Sequence, residues 1–490
     1  MISDNLHYDV VVIGSGPAGQ NAAVEAGRRG ARVLIVEQER HVGGACLQYG
    51  TIPSKTLRET AVTLTAFQRR SGGVYRISHA AELSICSLMK RLDEVVHSHQ
   101  ETTKHCLDMA GVERMSGRAF FQSAREIVIE SVSRTLTMVT AGTVVLAAGS
   151  RPRSPSNIAV DHENILDSDS ILSMSYLPAS IVILGSGVIA CEYASTFAAL
   201  GVNVLMMDKW PAPLGFLDRE LVDVYLDRFR ASGGTFRGNC DIKEVRWDGV
   251  SRVEVILADG EVITADKAFA ALGRVANLEA LRIERAGLQA SARGLLDVNQ
   301  FCQTSVPHIY AVGDMIGPPA LASASMEQGR RAVSHALSGS APTELGLIPT
   351  GIYTIPEIAT VGLDEKQAVE KFGGVLTGRV RYDQLARAHI MASPSGMLKL
   401  IADGDGNRVL GVQIAGDGAT DLIHLGQMAI MGQMSVSTFA TSIFNFPTMA
   451  EAYRLAALDI LNQKEARNGL LPNTHSGNRI STPPVPAAIS

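Results

Sequence analysis

The hydrophobic and polar positions near the start of the chain predict a strand, a turn, a helix and a second strand. Residues 8–13 form an apolar run long enough for a fully buried strand. The turn sequence GSGPAG follows at 14–19, and an alanine-rich stretch then predicts a helix to about Arg29. A second apolar strand covers 31–36 and ends on Glu37. This order of elements predicts a βαβ unit of a parallel α/β sheet.

The same order returns in the middle of the chain. Residues 181–184 predict a strand, and GSGVIA at 185–190 predicts the turn. A helix to about Leu200 and a strand over 202–207 follow, and this strand ends on Asp208. The first turn glycine precedes the acid by 23 residues in both copies. One glycine motif is a weak signal, but two in register, each with a strand, a helix and a terminal acid, are a strong one.

The repeated unit indicates two dinucleotide-binding sites. The first glycine allows a tight turn, the second lets backbone approach a pyrophosphate, and the small third residue lets helix and strand pack closely. The N–H groups and dipole of the helix then hold the phosphates. We expect Glu37 and Asp208 to accept hydrogen bonds from an adenosine ribose. Asp208 favours NAD, but the neighbouring Lys209 would tolerate NADP. The turn residues are Gly14, Gly16, Gly19, Gly185, Gly187 and Ala190.

Composition and charge narrow the class of protein. A chain of 490 residues predicts about three domains, and 46% hydrophobic with 19% charged residues excludes a disordered chain. A net charge of −5 without a basic stripe argues against a nucleic-acid partner. No apolar segment reaches the ~18 residues of a membrane helix, and the first residues lack the basic region of a signal peptide. We therefore expect a cytoplasmic globular protein. The cysteine spacing predicts no metal site.

The segment GGACLQYGTIPSK at 43–55 resembles the two-dinucleotide flavoprotein family of dihydrolipoamide dehydrogenase, glutathione reductase and mercuric reductase, whose motif is GGxCxxxxCIPSK. Residues 304–314 resemble the second FAD fingerprint of that family, and 147–150 and 271–274 resemble its two crossover strands. The match runs from about 8 to 462. The resemblance implies an α/β fold with two Rossmann-like dinucleotide-binding domains, one for FAD and one for NAD(P), and a C-terminal α+β dimerisation domain.

The resemblance also implies domain boundaries. A discontinuous FAD-binding domain would consist of 1–150 and 276–347, with the NAD(P)-binding domain at 151–275. The interface domain would cover 348–465. From 466 to 490 the chain is rich in Asn, Ser, Pro and Gly, a composition that predicts a disordered tail.

By the same resemblance, the first unit binds FAD and the second binds the nicotinamide cofactor. Asp314 would hold the FAD ribityl chain, and Gly117 would contact the adenine through its backbone. Lys55 and Glu192 resemble the ion pair of the family beside flavin N5, where a cation stabilises the negative charge of reduced flavin. The other cofactor-binding positions that the resemblance implies are Gly43, Gly44, Cys46, Ser150, Ala322, Gly273 and Arg274.

Two positions depart from the family motifs. The second cysteine of the motif is Thr51 here, so Cys46 has no partner at the required spacing. The C-terminal motif HPTxxE reads FPTMAE, so Phe446 replaces a histidine that exchanges protons with the dithiol. The resemblance implies that this motif brings Phe446 and Glu451 toward the flavin of the other subunit. Together the two changes remove the disulfide relay and leave the flavin site intact. We interpret Cys46 as a packing residue.

This combination resembles one branch of the family, the soluble, energy-independent pyridine nucleotide transhydrogenases. The resemblance implies one FAD per subunit, NAD(H) and NADP(H) as substrates, and a homodimer or higher homo-oligomer. Hydride would pass between NADPH and NAD⁺ through flavin N5 in a ping-pong exchange. Lys55, Glu192 and Thr51 would be the catalytic residues. Two alternatives stay open: an NAD(P)H diaphorase or quinone reductase of the same fold, and a non-enzymatic redox sensor that binds flavin and nucleotide.

Overall fold

The computed structural model describes residues 3–70, 85–340 and 346–468. The chain divides into an N-terminal unit, Met1–Ile355, and a C-terminal unit, Pro356–Ser490. From residue 469 onward, the predicted tail lies outside the described residues. The domain boundaries derived from the resemblance stay predictions.

The N-terminal unit contains two large sheets with helices. Its strands are β1 (Ser3–Ile13), β2 (Val33–Glu37), β3 (Glu113–Ser116), β4 (Arg118–Phe121), β5 (Glu126–Glu130), β6 (Leu136–Leu146), β7 (Ser150–Pro152), β8 (Ile165–Asp167), β9 (Ser180–Leu184), β10 (Asn203–Met207), β11 (Thr235–Arg237), β12 (Ile242–Trp247), β13 (Val253–Leu257), β14 (Val262–Ala265), β15 (Lys267–Ala270), β16 (Arg274–Ala276), β17 (Ile309–Ala311) and β18 (Thr350–Ile352). Its helices are α1 (Pro17–Arg28), α2 (Gly44–Gln48), α3 (Thr51–Arg70), α4 (Ile85–Met109), α5 (Val188–Ala199), α6 (Arg219–Ala231) and α7 (Ala322–Ser338).

The first sheet has the order β3-β2-β1-β6-β5-β4, and β17 also pairs with β6. Strands β1, β2, β3, β6 and β17 pair in parallel, whereas β5 pairs antiparallel with both β6 and β4. Side chains of β1 alternate between two hydrophobic cores. Val11 and Ile13 belong to one core, and Val10 and Val12 pack with the alanines of α1 in the other. Because both faces are covered there, the last four residues of β1, Val10–Ile13, are all apolar, and the strand ends at the turn that begins with Gly14.

The second sheet is entirely parallel, with the order β11-β10-β9-β15-β8. One of its faces packs on the antiparallel sheet β12-β13-β14, and the shared core includes Val182 and Leu184 of β9 with Val253 and Val255 of β13. Helix α5 follows β9 and is buried at every position over 190–198. This burial explains why the sequence of α5 is apolar on nearly all sides.

Both copies of the repeat form the predicted elements. The predicted strands are found as β1, β2, β9 and β10, and the two helices end at Arg28 and Ala199. Strand β2 begins two residues later than predicted, at Val33. The backbone N–H of Arg32 donates to the carboxylate of Asp9 at 2.8 Å, and the Arg32 carbonyl accepts from the backbone N–H groups of Asp9 and Val10 at 3.0 and 3.3 Å.

The C-terminal unit is an α+β structure. Its strands are β19 (Ile358–Gly362), β20 (Val375–Arg381), β21 (Met397–Asp403) and β22 (Val409–Ala415). They pair antiparallel in the order β19-β22-β21-β20. Its helices are α8 (Glu365–Phe372), α9 (Ala386–Ile390), α10 (Ala419–Met431), α11 (Val436–Thr441) and α12 (Glu451–Arg467). Across the described residues of both units, no helix has the length and apolar composition required to cross a membrane.

Candidate active site

The first glycine turn, between β1 and α1, is shaped by two close backbone contacts. Gly14 has a φ of +102°, and a Cβ on it would lie 2.3 Å from the carbonyl oxygen of Ala147. A Cβ on Gly19 would lie 1.9 Å from the carbonyl oxygen of Gly14. A Cβ on Gly16, in contrast, would meet no atom within 4 Å. The first and third glycines therefore hold strand and helix together, and the second leaves open space at the N-terminus of α1.

The second glycine turn, between β9 and α5, has the same geometry. Gly185 has a φ of +107°, and a Cβ on it would lie 2.6 Å from the carbonyl oxygen of Ala271. A Cβ on Gly187 would again meet no atom within 4 Å. The third position is Ala190, whose methyl group is fully buried. The internal repeat in the sequence is therefore also a repeat in structure.

Both turns lead into helix N-termini that suit a phosphate group. The N-cap residues are Gly16 and Gly187, which have no side chain to cap the first backbone N–H groups of α1 and α5. Uncapped N–H groups and the positive end of the helix dipole attract anions. Open space beside each N-cap allows a pyrophosphate to approach the backbone. The residues present at both turns therefore fit a dinucleotide.

The two terminal acids lie beside the glycine turns, as the repeat predicts. A carboxylate oxygen of Glu37 accepts hydrogen bonds from the backbone N–H and the hydroxyl of Ser15, at 2.9 and 2.5 Å. Asp208 accepts a hydrogen bond from the hydroxyl of Ser186 at 2.6 Å. Sequence reasoning missed both serines, although the same residue type stands between the two glycines in each copy. These contacts place each acid at its turn, and its bond to a ribose stays a prediction.

The segment with Cys46 packs over the first turn. A Cβ on Gly44 would lie 2.7 Å from the Cα of Gly16, and the N–H of Gly43 donates to the hydroxyl of Ser15 at 3.0 Å. Cys46 lies in α2, and α3 begins at Thr51. Two of the predicted cofactor-binding positions, Gly43 and Gly44, therefore contact the first glycine turn, and Cys46 follows them in α2.

The Cys46 thiol is close to several candidate residues. Burial raises the pKa of this thiol, and that effect outweighs a hydrogen bond with the Thr51 side chain and the positive charge of Lys55, which both lower it. The negative charge of Asp314 raises the pKa of the thiol further. A partly buried thiol with a raised pKa is a poor nucleophile at neutral pH. The interpretation of Cys46 as a packing residue agrees with this environment.

Lys55 and Glu192 form the predicted ion pair. The Nζ of Lys55 in α3 lies 2.6 Å from Oε2 of Glu192 in α5. Their side chains are 24% and 9% exposed, so water screens the pair only in part. The other carboxylate oxygen of Glu192 accepts a hydrogen bond from the backbone N–H of Tyr353 at 2.8 Å. Sequence reasoning missed Tyr353, because no local pattern predicts a contact between residues so far apart in the chain.

Asp314 belongs to a hydrogen-bonded chain that includes Ser150 and Arg274. Its carboxylate accepts a hydrogen bond from the Ser150 hydroxyl at 2.5 Å. Arg274 donates through Nε to the Ser150 hydroxyl at 2.8 Å and through Nη2 to the Ser150 carbonyl at 2.6 Å. Arg274 also donates to the hydroxyl of Ser168 at 3.0 Å. The structure therefore brings these three predicted residues together, with Ser150 between the other two.

The remaining predicted positions are spread over both units. The N–H of Gly117 donates to the Glu37 carbonyl at 2.8 Å, so Gly117 lies beside the first turn. Gly273 immediately precedes β16, and Ala322 begins α7, which packs on α1. In the C-terminal unit, Phe446 is 76% exposed, and Glu451 is the first residue of α12. Their approach to the flavin of another subunit stays a prediction.

Comparison with known proteins agrees with this geometry. Residues 8–329 match the sequence model of the pyridine nucleotide-disulphide oxidoreductases. The chain belongs to the pyridine nucleotide-disulphide oxidoreductase family. Residues 348–457 match the dimerisation domain of this family. Both glycine turns, Lys55 and Glu192 lie within the first match, and Tyr353 lies within the second.

Similar proteins cover nearly the whole chain. The soluble pyridine nucleotide transhydrogenase of Mycobacterium bovis (strain BCG / Pasteur 1173P2) is 40% identical over 465 residues, which are 94% of this chain and 98% of the relative. That of Yersinia enterocolitica is 39% identical, over 94% of this chain and all of the relative. Among solved structures, LpdA from Mycobacterium tuberculosis has a TM-score of 0.85 at 25% identity, over 92% of this chain and 99% of LpdA.

Membership in the pyridine nucleotide-disulphide oxidoreductase family confirms the recognised resemblance and the predicted α/β fold class. The family is FAD-dependent, which confirms FAD as the cofactor. The match to a dimerisation domain supports the predicted homo-oligomer. The roles of the individual site residues stay predictions.

Proposed function

We propose that this chain is an FAD-dependent transhydrogenase that moves hydride between NADPH and NAD⁺ in either direction. The relatives from Mycobacterium bovis and Yersinia enterocolitica are named soluble pyridine nucleotide transhydrogenases. The observation that carries the proposal is the environment of Thr51. Its hydroxyl lies beside Cys46, where the disulfide reductases have a second cysteine, while the ion pair of Lys55 and Glu192 is intact.

In this proposal the first glycine turn binds FAD and the second binds the nicotinamide nucleotide. Bound FAD supplies the hydride chemistry, and the protein supplies binding, orientation and electrostatics. Lys55 places a positive charge beside the cofactor, and Glu192 holds the ammonium group in one orientation. Asp314, fixed by the Ser150 hydroxyl, would bind the cofactor through its carboxylate.

With Thr51 and Phe446, the chain lacks the second cysteine and the proton donor through which a disulfide reductase passes electrons from its flavin to a substrate. The hydroxyl of Thr51 cannot form a disulfide with Cys46, and burial raises the pKa of the Cys46 thiol. The ring of Phe446 cannot exchange a proton. A second nicotinamide nucleotide, which enters after the first has left, is then the acceptor that needs no further protein group.

The residues after β10 support the use of both nucleotides at one site. Asp208 lies at the second turn and can accept hydrogen bonds from the ribose hydroxyls of NAD(H). Lys209 follows directly, and its Nζ lies 5.1 Å from the centroid of the Trp210 ring. A cation at this place offsets the repulsion between Asp208 and a 2′-phosphate, so that NADP(H) is also accepted. The cytoplasmic location stays a prediction.

This function is tested by measuring hydride transfer between two nicotinamide nucleotides without oxygen, both in a single turnover and in the steady state. The purified yellow protein is mixed with NADPH and an NAD⁺ analogue whose reduced form absorbs at a distinct wavelength. Reduction of the analogue at turnover rates is the expected result, and omission of NADPH is the control. A flavin that NADPH bleaches but that leaves the analogue oxidised contradicts the proposal. A quinone acceptor would then test the diaphorase alternative.

A further inference from the structure

A three-residue segment contacts both helices that carry the ion pair of Lys55 and Glu192. This segment, residues 353–355, follows β18 and ends the N-terminal unit. We name it the 353–355 strap. In α3 it contacts Lys55 and Arg58, and in α5 it contacts Glu192 and Ser195. The two contacted residues are three positions apart in each helix. Residues at this spacing lie on one face of a helix.

The strap binds α5 through two backbone N–H groups. The N–H of Tyr353 donates to Oε1 of Glu192 at 2.8 Å, and the N–H of Ile355 donates to the hydroxyl of Ser195 at 3.1 Å. Because Oε2 of Glu192 accepts from Lys55, both carboxylate oxygens have a donor. A carboxylate held at both oxygens cannot rotate without losing a hydrogen bond. The strap therefore fixes the orientation of the acid in the ion pair.

The strap binds α3 through a ring and a carbonyl. The Nζ of Lys55 lies 5.0 Å from the centroid of the Tyr353 ring, within the range of a cation–π interaction. The buried Arg58 donates through Nε and Nη2 to the carbonyl of Thr354, both at 3.1 Å. This forked contact holds the backbone next to Tyr353. The Lys55 ammonium group consequently has the Glu192 carboxylate and the Tyr353 ring as neighbours, in addition to the Ser54 hydroxyl at 3.4 Å.

We propose that Tyr353 is a positioning residue that holds the Lys55 charge in one place beside the bound FAD. Its ring faces the ammonium group, and its N–H orients the carboxylate that pairs with that group. The inference rests on the proposed function only for the place of Lys55 next to the cofactor. A cation held near the flavin stabilises the extra negative charge of the reduced form. Loss of the ring therefore makes reduction of the bound FAD less favourable.

The test is the midpoint potential of the bound FAD, measured by dye equilibration with the holoprotein and without any nicotinamide. In Tyr353→Leu we expect the equilibrium for reduction to become about tenfold less favourable, which is a fall of about 30 mV for a two-electron couple. Tyr353→Phe keeps the ring and the N–H and should retain the wild-type potential. Tyr176→Leu is the matched control, because the Tyr176 ring lies 4.6 Å from the Nζ of Lys267 outside the site.

Two results would overturn the inference: a wild-type potential in FAD-loaded Tyr353→Leu, or a fall in Tyr353→Phe as large as in Tyr353→Leu. If Tyr353→Leu does not retain FAD, Tyr353→Met replaces it, since this change also removes the ring that faces the Lys55 ammonium group and keeps the backbone N–H that bonds to Glu192. A wild-type potential in FAD-loaded Tyr353→Met would likewise overturn the inference. If the wild-type protein does not exchange hydride between NADPH and NAD⁺, the proposed function is refuted. The midpoint potentials of the FAD bound to wild type and to the Tyr353 variants can still be compared in that case.

Discussion

Replacement of Gly16 by alanine should weaken FAD binding without weakening the fold. Gly16 has φ −64° and ψ 179°, an extended conformation that any L-residue adopts. A Cβ there would meet no protein atom within 4 Å. Alanine at a compatible glycine position reduces the conformational freedom of the unfolded chain. We therefore expect the free energy of unfolding without FAD to stay unchanged or to rise by about 0.4–1 kcal/mol.

The added methyl group would occupy space that the pyrophosphate of FAD needs. Forcing a methyl group into a filled site costs about 1–3 kcal/mol. Because 1.4 kcal/mol is a factor of ten in affinity, the Kd for FAD should rise by about 5- to 140-fold. Gly14 and Gly19 do not allow this test, since a Cβ on either would overlap backbone atoms and disturb the fold itself.

The assay titrates apoprotein with FAD and follows flavin fluorescence, while urea unfolding of the same samples reports stability. The matched control is Gly187→Ala, at the equivalent place in the second turn, with φ −77°, ψ −173° and no atom within 4 Å of a Cβ. This variant should keep FAD and lose affinity for nicotinamide nucleotides. Wild-type FAD affinity in Gly16→Ala, or loss of FAD in Gly187→Ala, would refute the assignment of the two turns.

Asp208→Ala should raise the KM for NADH more than that for NADPH in steady-state assays, because the adenosine ribose has a free 2′-hydroxyl in NAD(H) and a 2′-phosphate in NADP(H). An equal rise in both KM values would contradict the ribose assignment. Lys55→Ala should retain FAD but slow its reduction by NADPH at least tenfold in stopped-flow absorbance, and an unchanged rate would remove Lys55 from the mechanism. Burial raises the pKa of Cys46, so iodoacetamide at pH 8 should modify Cys46 more slowly than the exposed Cys106, and the rate at Cys46 should increase as the pH rises. Peptide mass spectrometry measures both rates, and equal rates would contradict the raised pKa. Thr51→Cys should not produce lipoamide or glutathione reduction, since no proton donor accompanies the new thiol, and turnover with either substrate would count against the role given to Phe446.

The glycine turns could be predicted from sequence because their requirements are local. Gly14 and Gly185 need a positive φ, and the third position of each turn, Gly19 or Ala190, needs a small residue for contact between helix and strand. These local requirements recur at the same sequence spacing in both copies, so the repeat can be recognised without knowledge of the fold. The ion pair of Lys55 and Glu192 was predicted by resemblance alone, since no rule of spacing connects residues so far apart.

The contacts around the candidate site could not be predicted in this way. The bond from Tyr353 to Glu192 depends on where a late segment of the chain lies against α5, which only the folded structure determines. The same holds for Arg274, which sequence reasoning assigned to cofactor binding and which donates three hydrogen bonds to Ser150 and Ser168.

The position of the 353–355 strap has a mechanical consequence. The backbone passes from Ile355 directly to Pro356, the first residue of the C-terminal unit. The segment that orients Glu192 and contacts Lys55 is therefore also the covalent connection to the C-terminal unit. A displacement of the backbone at Pro356 would have to break or shift the bonds of Ile355 and Thr354 before it moved Tyr353 and the ion pair.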